Sequence, residues 1–528
     1  MFLVSLGLLL VVLGMFRSPG CYSWCLSGRM WGYPLSDFSF SFVFDDLACA
    51  FVLMLGCCVV VAVYYGWHYA GNGLLSPLMV GFGGSMLGLV LSGNFVTSLV
   101  FWEYLGLFSF LLILFYSNVV SLRAAVITLF ASRFGDVSLF LLLSYCSALS
   151  DVSSWGVVLC VFLVVSTKSA VYPFISWLLE AMRAPTPVSS LVHSSTLVTA
   201  GVWFLFRYGD WFSCDALLLL SVFCFVSIFV SGVCALVCDD LKKVVALSTC
   251  NNISWCIVFS VLSSPELALV QLLVHGISKC YLFMSVGDLI CSGFGSQGLF
   301  GSRSFGYLGP WEAIVSAVLV FSLCGLPFMG VFYSKHAFFY GSSFFVFNLV
   351  MGLSVFVGLV LSYAYSFRLF TLLVITRSSG IPLDQFSGFF LSTVFSLVGS
   401  MLGSVSTSLV YEEWEVGAWV SCVLFVGSFV GSLLGCWVTG GGCVSRSTSV
   451  GCVSSFGADV FVMCVYRWFV GVSRLCSWVS HRWEEYAFGG VRGSLLEVLV
   501  YSFYGVLFSL GVFVLLCLLF FGVVYLFG

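Results

Sequence analysis

Val161-Phe-Leu-Val-Val-Ser-Thr-Lys168-Ser-Ala-Val-Tyr-Pro173 carries the two features that decide the fold. An apolar lead-in reaches a lone lysine, and a proline then interrupts any regular helix. A charge at a bilayer centre costs about 2.5–3.5 kcal/mol, so a lysine placed there needs a reason. Outward from this stretch the chain stays in the same register. It is 61% hydrophobic, 18% aromatic and 8% charged over 528 residues, with a mean hydropathy of +1.15. Soluble domains average about 25% charged residues. A water-facing surface of this size cannot be made from that inventory, which excludes soluble, fibrous, disordered and disulfide-framework classes. A polytopic membrane protein remains.

Apolar runs long enough to be spans lie near 1–16, 39–66, 74–93, 95–116, 121–149, 155–179, 188–208, 214–238, 242–262, 266–291, 311–332, 344–370, 387–410, 416–439 and 499–527. At about 20 residues per span, the length accommodates roughly 14 to 16 transmembrane helices. A barrel is excluded, because its strands alternate apolar and polar residues and these runs are apolar all round. The sequence therefore predicts an all-α membrane protein. N-terminal spans occupy 1–93, a charged core 94–340, further spans 341–456, an amphipathic helix 457–498 and an anchor span 499–528. In the amphipathic segment Arg467, Arg474 and His481 recur every seven residues, and the other faces hold Phe461, Trp468, Leu475 and Trp478. Such a stripe fits a helix lying along the membrane surface, or a last span with snorkelling arginines.

The net charge of −3, with 19 basic residues spread along the chain, gives no basic patch and so no nucleic-acid partner. Only five of these are lysines, against fourteen arginines, and Phe, Gly, Cys and Trp are abundant. That balance fits a compositionally skewed organellar genome, and no Arg-rich import peptide opens the chain. The 23 cysteines mostly stand singly in apolar runs, as small hydrophobes. None of their pairs has a second pair at zinc or iron–sulfur spacing, so no metal site is predicted. Gly293-Phe-Gly295-Ser-Gln-Gly298 matches the dinucleotide pattern, but it follows no strand. No lysine follows a glycine as a phosphate loop requires, and no histidine pair is placed for haem.

The charges inside apolar runs carry the functional signal. Glu103 lies within Asn94–Tyr116, and Arg133 and Asp136 are three apart on one helix face. Lys168, His193, His275, Lys279 and Lys335 sit in four further runs, with His275 and Lys279 four apart. Each has a bland reading. A lone buried histidine is usually satisfied core, and Arg133–Asp136 can be a structural pair. Yet three of five lysines fall in separate apolar runs, where chance would place few. The chemistry suiting such a series is proton transfer. An ammonium in low dielectric is less basic than in water, and a nearby carboxylate restores its basicity. Glu103 with Lys168 can form such a switch, and His193, His275 and Lys279 can relay, with water between them. Helix breaks accompany these charges: Pro173 follows Lys168, and Gly325, Pro327 and Gly330 precede Lys335. Broken helices mark ion paths because the freed backbone groups need water or protein partners.

These residues form recognisable motifs: Trp102-Glu103-Tyr-Leu-Gly106, Arg133-Phe-Gly-Asp136, Trp177-Leu-Leu-Glu-Ala-Met, Ala184-Pro-Thr-Pro-Val-Ser-Ser-Leu-Val-His193, Asp240-Leu-Lys-Lys, His275-Gly-Ile-Ser-Lys279 and Gly330-Val-Phe-Tyr-Ser-Lys335. Together they resemble the antiporter-like subunits of NADH–ubiquinone oxidoreductase, respiratory complex I, and among these the chain 5 family. The match is dense over about 95–340, and the composition is similar to that of flatworm mitochondrial proteins. The resemblance implies two broken helices in inverted repeats, with Glu103 and Lys168 as an ion pair tuned by Arg133 and Asp136. It further implies relay roles for His193 and His275, a central lysine at Lys279 and a terminal one at Lys335. The amphipathic segment becomes a lateral arm. His336 departs from the family, which commonly has an acid there, and Asn251 replaces a usual polar residue.

The implied function is proton translocation in a complex of the mitochondrial inner membrane, beside a neighbouring antiporter-like chain. No cofactor is expected in this chain, since NADH, FMN, iron–sulfur clusters and ubiquinone belong to other subunits of that complex. An Mrp-type cation/proton antiporter subunit and a passive membrane scaffold are the rival readings.

Overall fold

The computed structural model describes residues 22–27, 39–70, 74–148, 155–292, 310–326, 329–343, 349–375, 418–440 and 457–482. The predicted spans at 1–16, 387–410 and 499–527 and the break residue Pro327 lie outside them. The chain divides into two units, Met1–Val462 and Met463–Gly528.

The first unit opens with an antiparallel hairpin, β1 (Tyr22–Ser27) and β2 (Ser39–Phe44), in register from Tyr22 opposite Phe44 to Ser27 opposite Ser39. Here the sequence reading is corrected. The span expected over 39–66 begins only at Asp46, because Ser39–Phe44 alternates small polar and aromatic residues, a two-residue period that suits a strand. Asp46 lies in the first helical turn, where a carboxylate meets the positive end of the helix dipole.

Helices follow in alternating directions, joined by short connectors: α1 (Asp46–Ala70), α2 (Leu75–Leu91), α3 (Phe95–Ile113), α4 (Val119–Ala148) and α5 (Trp155–Ser169). Asn94 and Thr97 cap α3 reciprocally through side chain and backbone. After α5 the backbone turns at Ala170 (φ +54°) and resumes as α6 (Ile175–Ala181), so the break expected at Pro173 is present. A long buried rod follows, α7 (Thr186–Leu191), a π-helical segment Val192–Thr196 and α8 (Leu197–Tyr208). Next come α9 (Cys214–Val237), α10 (Leu241–Leu262) and α11 (Pro265–Ser292).

The run read as 311–332 is two helices, α12 (Pro310–Cys324) and α13 (Phe332–Ser343). Between them Gly325 (φ +80°) and Gly330 (φ +46°) take left-handed conformations that favour glycine. A Cβ at Gly330 would also stand 2.6 Å from the Ser322 carbonyl. Then come α14 (Leu349–Phe370), which ends in a π-helical turn Thr371–Ile375, and α15 (Ala418–Gly440), packed together. Among the described residues, ten helical segments are long and apolar enough to cross a membrane. The rod is buried without a break from Thr186 to Leu205, whereas only 17% of Cys422–Thr439 is. Burial therefore centres on α5 to α8, α10 and α11, and the outer helices present apolar faces outward, as a lipid-facing skin requires.

The last helix, α16 (Val460–Arg482), begins in the first unit. Phe461 packs on Phe174, Phe134 and Phe130 with ring centroids 4.9–6.4 Å apart. In the second unit the remainder of α16 is largely exposed, with Arg467 and Arg474 seven residues apart on one face.

Candidate proton path

The buried charges lie on the innermost elements. On α3, α4 and α5 four of them form a chain. The Glu103 carboxylate accepts from Arg133 at 2.7 Å, Arg133 lies 3.3 Å from Asp136, and Asp136 lies 3.8 Å from Lys168 Nζ. The Trp102 indole N–H also donates to Asp136 Oδ1 at 3.0 Å, and the Lys168 ammonium stands 5.0 Å from the Trp102 ring centroid. Lys168 is 1% exposed and Asp136 4%, while the Glu103 side chain is 32% exposed. No contact within 4.0 Å joins Glu103 to Lys168; Arg133 and Asp136 stand between them. The i, i+3 spacing of Arg133 and Asp136 puts them on one face of α4, turned toward both neighbours. Lys168 closes the last turn of α5, where the negative end of the helix dipole favours a cation.

His193 lies in the π-helical part of the rod. The widening follows from a run of hydroxyls that bond backward: Thr196 Oγ1 donates to the Leu191 carbonyl at 2.8 Å, five residues back, and Ser194 donates to the Ser190 carbonyl. The imidazole is wholly buried with neither nitrogen in hydrogen-bonding geometry, and its ring centre is 6.2 Å from that of Trp177.

Further along, Gln271, His275 and Lys279 are spaced four apart, on one face of α11. Lys279 Nζ donates to the Val245 carbonyl at 3.2 Å and to Ser248 Oγ, both on α10. Neither nitrogen of His275 has a partner. Gln271 Oε1 accepts from Ser334 Oγ. Ser334 adjoins Lys335, in the first turn of α13 beyond the second break. Lys335 Nζ donates to the Cys324 carbonyl at 2.8 Å and to Ser362 Oγ at 3.1 Å. It lies 5.4 Å from the Tyr363 ring, whose hydroxyl donates to the Gly325 carbonyl at 2.7 Å. The ammonium thus occupies the gap between the two halves of the broken helix. Among the described residues neither Lys279 nor Lys335 has a carboxylate within 4.0 Å.

His336, half-buried, borders an open pocket with Phe332, Lys335, Tyr363 and Leu424. The sequence reading missed Gln271, Ser334, Ser248 and Ser362. Gln271 had a signal, as a lone amide four residues before His275. The serines had none, since serines bonding back into their own helix are everywhere in this chain.

The arrangement has counterparts. The family described as NADH:quinone oxidoreductase/Mrp antiporter, TM, matches residues 92–363, which include every candidate site residue from Glu103 to Lys335. The chain belongs to this family. NADH-ubiquinone oxidoreductase chain 5 of Anopheles quadrimaculatus is 31% identical over 471 residues, covering 82% of this chain and 80% of its own. The chain 5 of Caenorhabditis elegans is 35% identical over 368 residues, with 67% and 68% covered. Among solved structures, the Mrp complex from Dietzia superposes with a TM-score of 0.72 at 22% identity, over 97% of this chain and 60% of that one. An archaeal membrane-bound sulfane sulfur reductase gives 0.64 at 16% identity, over 83% and 93%. These two show the shared fold. The family and the chain 5 relatives make this protein a proton-translocating, antiporter-like multi-pass membrane subunit of a respiratory complex.

Proposed function

We propose that Lys168, His193, His275, Lys279 and Lys335 carry protons in series across the middle of the bundle. Glu103, Arg133 and Asp136 set how firmly Lys168 holds its proton. The observation that carries this reading is the burial of three ammonium groups to 1–4% exposure in separate helices, each at a helix break or on the α10–α11 seam. A structural role would be served by apolar side chains at lower desolvation cost. Between them stand buried polar atoms without protein partners: both nitrogens of His193 and of His275, and the Asn252 amide. Buried groups of that kind are commonly bridged by water, and water carries protons between side chains too far apart to touch.

The chain 5 relatives support the wider setting: a subunit of an NADH–ubiquinone oxidoreductase in the mitochondrial inner membrane, beside other membrane subunits that include an antiporter-like neighbour. In that setting the redox centres lie elsewhere, and this chain takes part in the reaction by moving protons. The test is Lys279→Met in the assembled complex reconstituted into vesicles. Proton uptake per NADH oxidised should fall, while NADH oxidation by an artificial acceptor stays intact. An unchanged ratio returns the chain to the scaffold reading.

A further inference from the structure

A second polar cluster stands apart from this series, at one end of the bundle. The Tyr65 hydroxyl on α1 donates to Asp288 Oδ1 on α11 at 2.7 Å. Gly287 makes this approach possible: a Cβ there would lie 2.7 Å from the Tyr65 hydroxyl and 2.8 Å from Thr186 Oγ1. Thr186 Oγ1 is itself buried and without a partner. Lys242, 4% exposed at the start of α10, donates to the Ala184 carbonyl at 3.4 Å and has no carboxylate within 4.0 Å. Cys291 and Tyr69 face the same cluster, Cys291 at its exposed rim.

Tyr65 is also part of the buried core, while Lys242 and Asp288 lie on the two helices that carry Lys279 and its partners. Lys242 precedes Val245 by three residues and Ser248 by six. It therefore lies one to two turns along α10 from the two groups that hold the Lys279 ammonium. Asp288 is nine residues beyond Lys279 on α11, about 13.5 Å along the helix toward the same end.

The geometry points to a proton uptake port at this end, with Asp288 as the acceptor from bulk water and Lys242 as the link inward to Lys279. This deepens the function proposed above and rests on it. Asp288 takes a proton from water, with Tyr65 orienting the carboxyl. Lys242 passes its own proton through bridging water to a neutral Lys279 and is refilled from Asp288. Arg183, Lys243 and Arg368 nearby each face a carboxylate, of Glu180, Asp240 and Asp239, whereas Lys242 has none within 4.0 Å among the described residues.

The test compares Asp288→Asn, Tyr65→Phe and Lys279→Met in the assembled complex, reading protons moved per NADH oxidised and its dependence on bulk pH. Asp288→Asn should lower the ratio several-fold and remove one limb of the pH profile, with Asp288→Glu restoring both. Tyr65→Phe, which deletes one oxygen and keeps the ring, should displace the profile even if Asp288→Asn fails to assemble. Full pumping with an unaltered profile in both port variants, while Lys279→Met is inactive, overturns the port and leaves the proton path standing. Full pumping by Lys279→Met overturns the path itself.

Discussion

Replacing Asp136 by asparagine tests the charged chain at its most buried link. The carboxylate is 3.8 Å from Lys168 Nζ, and both side chains are under 5% exposed. At an effective dielectric of about 20, two unit charges at that distance attract by about 4 kcal/mol, about a thousandfold in the equilibrium between charged and neutral lysine. Asparagine keeps the shape and can keep the Trp102 bond, so the loss is electrostatic. The Glu103–Arg133 pair is 32–43% exposed, but it lies on membrane-spanning helices, so the weak value of a water-screened surface pair does not apply, and it reaches Lys168 only by way of Asp136. Glu103 therefore acts on Lys168 chiefly through Arg133. Glu103→Gln frees that guanidinium to draw Asp136 away from the lysine. The assay is proton uptake per NADH oxidised by the reconstituted complex, with acceptor-driven NADH oxidation as the assembly control. Asp136→Asn should abolish most uptake. Glu103→Gln should reduce it, and the added change Arg133→Gln should recover part of that loss, because Asp136 is then left to Lys168 alone. Full uptake by Asp136→Asn refutes the reasoning, as does a Glu103→Gln defect deepened by removing Arg133.

Three further outcomes follow from the geometry. Gln271→Leu deletes the acceptor for Ser334 beside Lys335; uptake should fall with NADH oxidation by an artificial acceptor unchanged, as the same vesicle assay reads. Gly435→Ala would press a Cβ onto the Ala364 carbonyl and to 2.9 Å from Phe367 Cβ. Overpacking of the α14–α15 contact should cost about 1–3 kcal/mol, visible as a lower melting temperature of the complex. At the start of α16, burial and the Glu180 carboxylate push Asp459 above the ordinary carboxylate range, against the pull of Lys243. The folded form then binds the proton more tightly than the unfolded one, so docking of this segment weakens as pH rises through the raised value. Asp459→Asn should flatten that dependence, measured by hydrogen exchange at residues 457–462.

Much of the site was legible because membrane burial makes charge conspicuous. Lys168, Lys279 and Lys335 stood out only because an apolar run has no ordinary use for an ammonium. The breaks were legible for the same reason, as Pro173 and Gly330 have no ordinary place inside a span. The partners were not legible. Asp136 reaches Lys168 across a sequence separation of 32 residues, and local spacing pairs it only with Arg133. Ser248 and Ser362 look like any helical serine until another helix brings a lysine to them. The hairpin was lost because Ser39–Phe44 is apolar enough to extend the following helix, and only its two-residue period says otherwise.

The lysines differ in what holds them, and the difference bears on direction. Lys168 faces a carboxylate, whereas among the described residues Lys279 and Lys335 donate to carbonyls and hydroxyls. Neutral dipoles solvate an ammonium, but they stabilise it less than a carboxylate does. They also still accept hydrogen bonds from the neutral amine, so little reorganises when the proton leaves. On the proposed path a proton is therefore held most firmly at Lys168, and Lys279 and Lys335 give one up more readily. Swinging the Asp136 carboxylate away from Lys168 while it keeps Arg133, 3.3 Å away, would erase that ranking, since the attraction falls with distance. On the proposed path, a redox step elsewhere in the complex would act by biasing this one carboxylate between two cations.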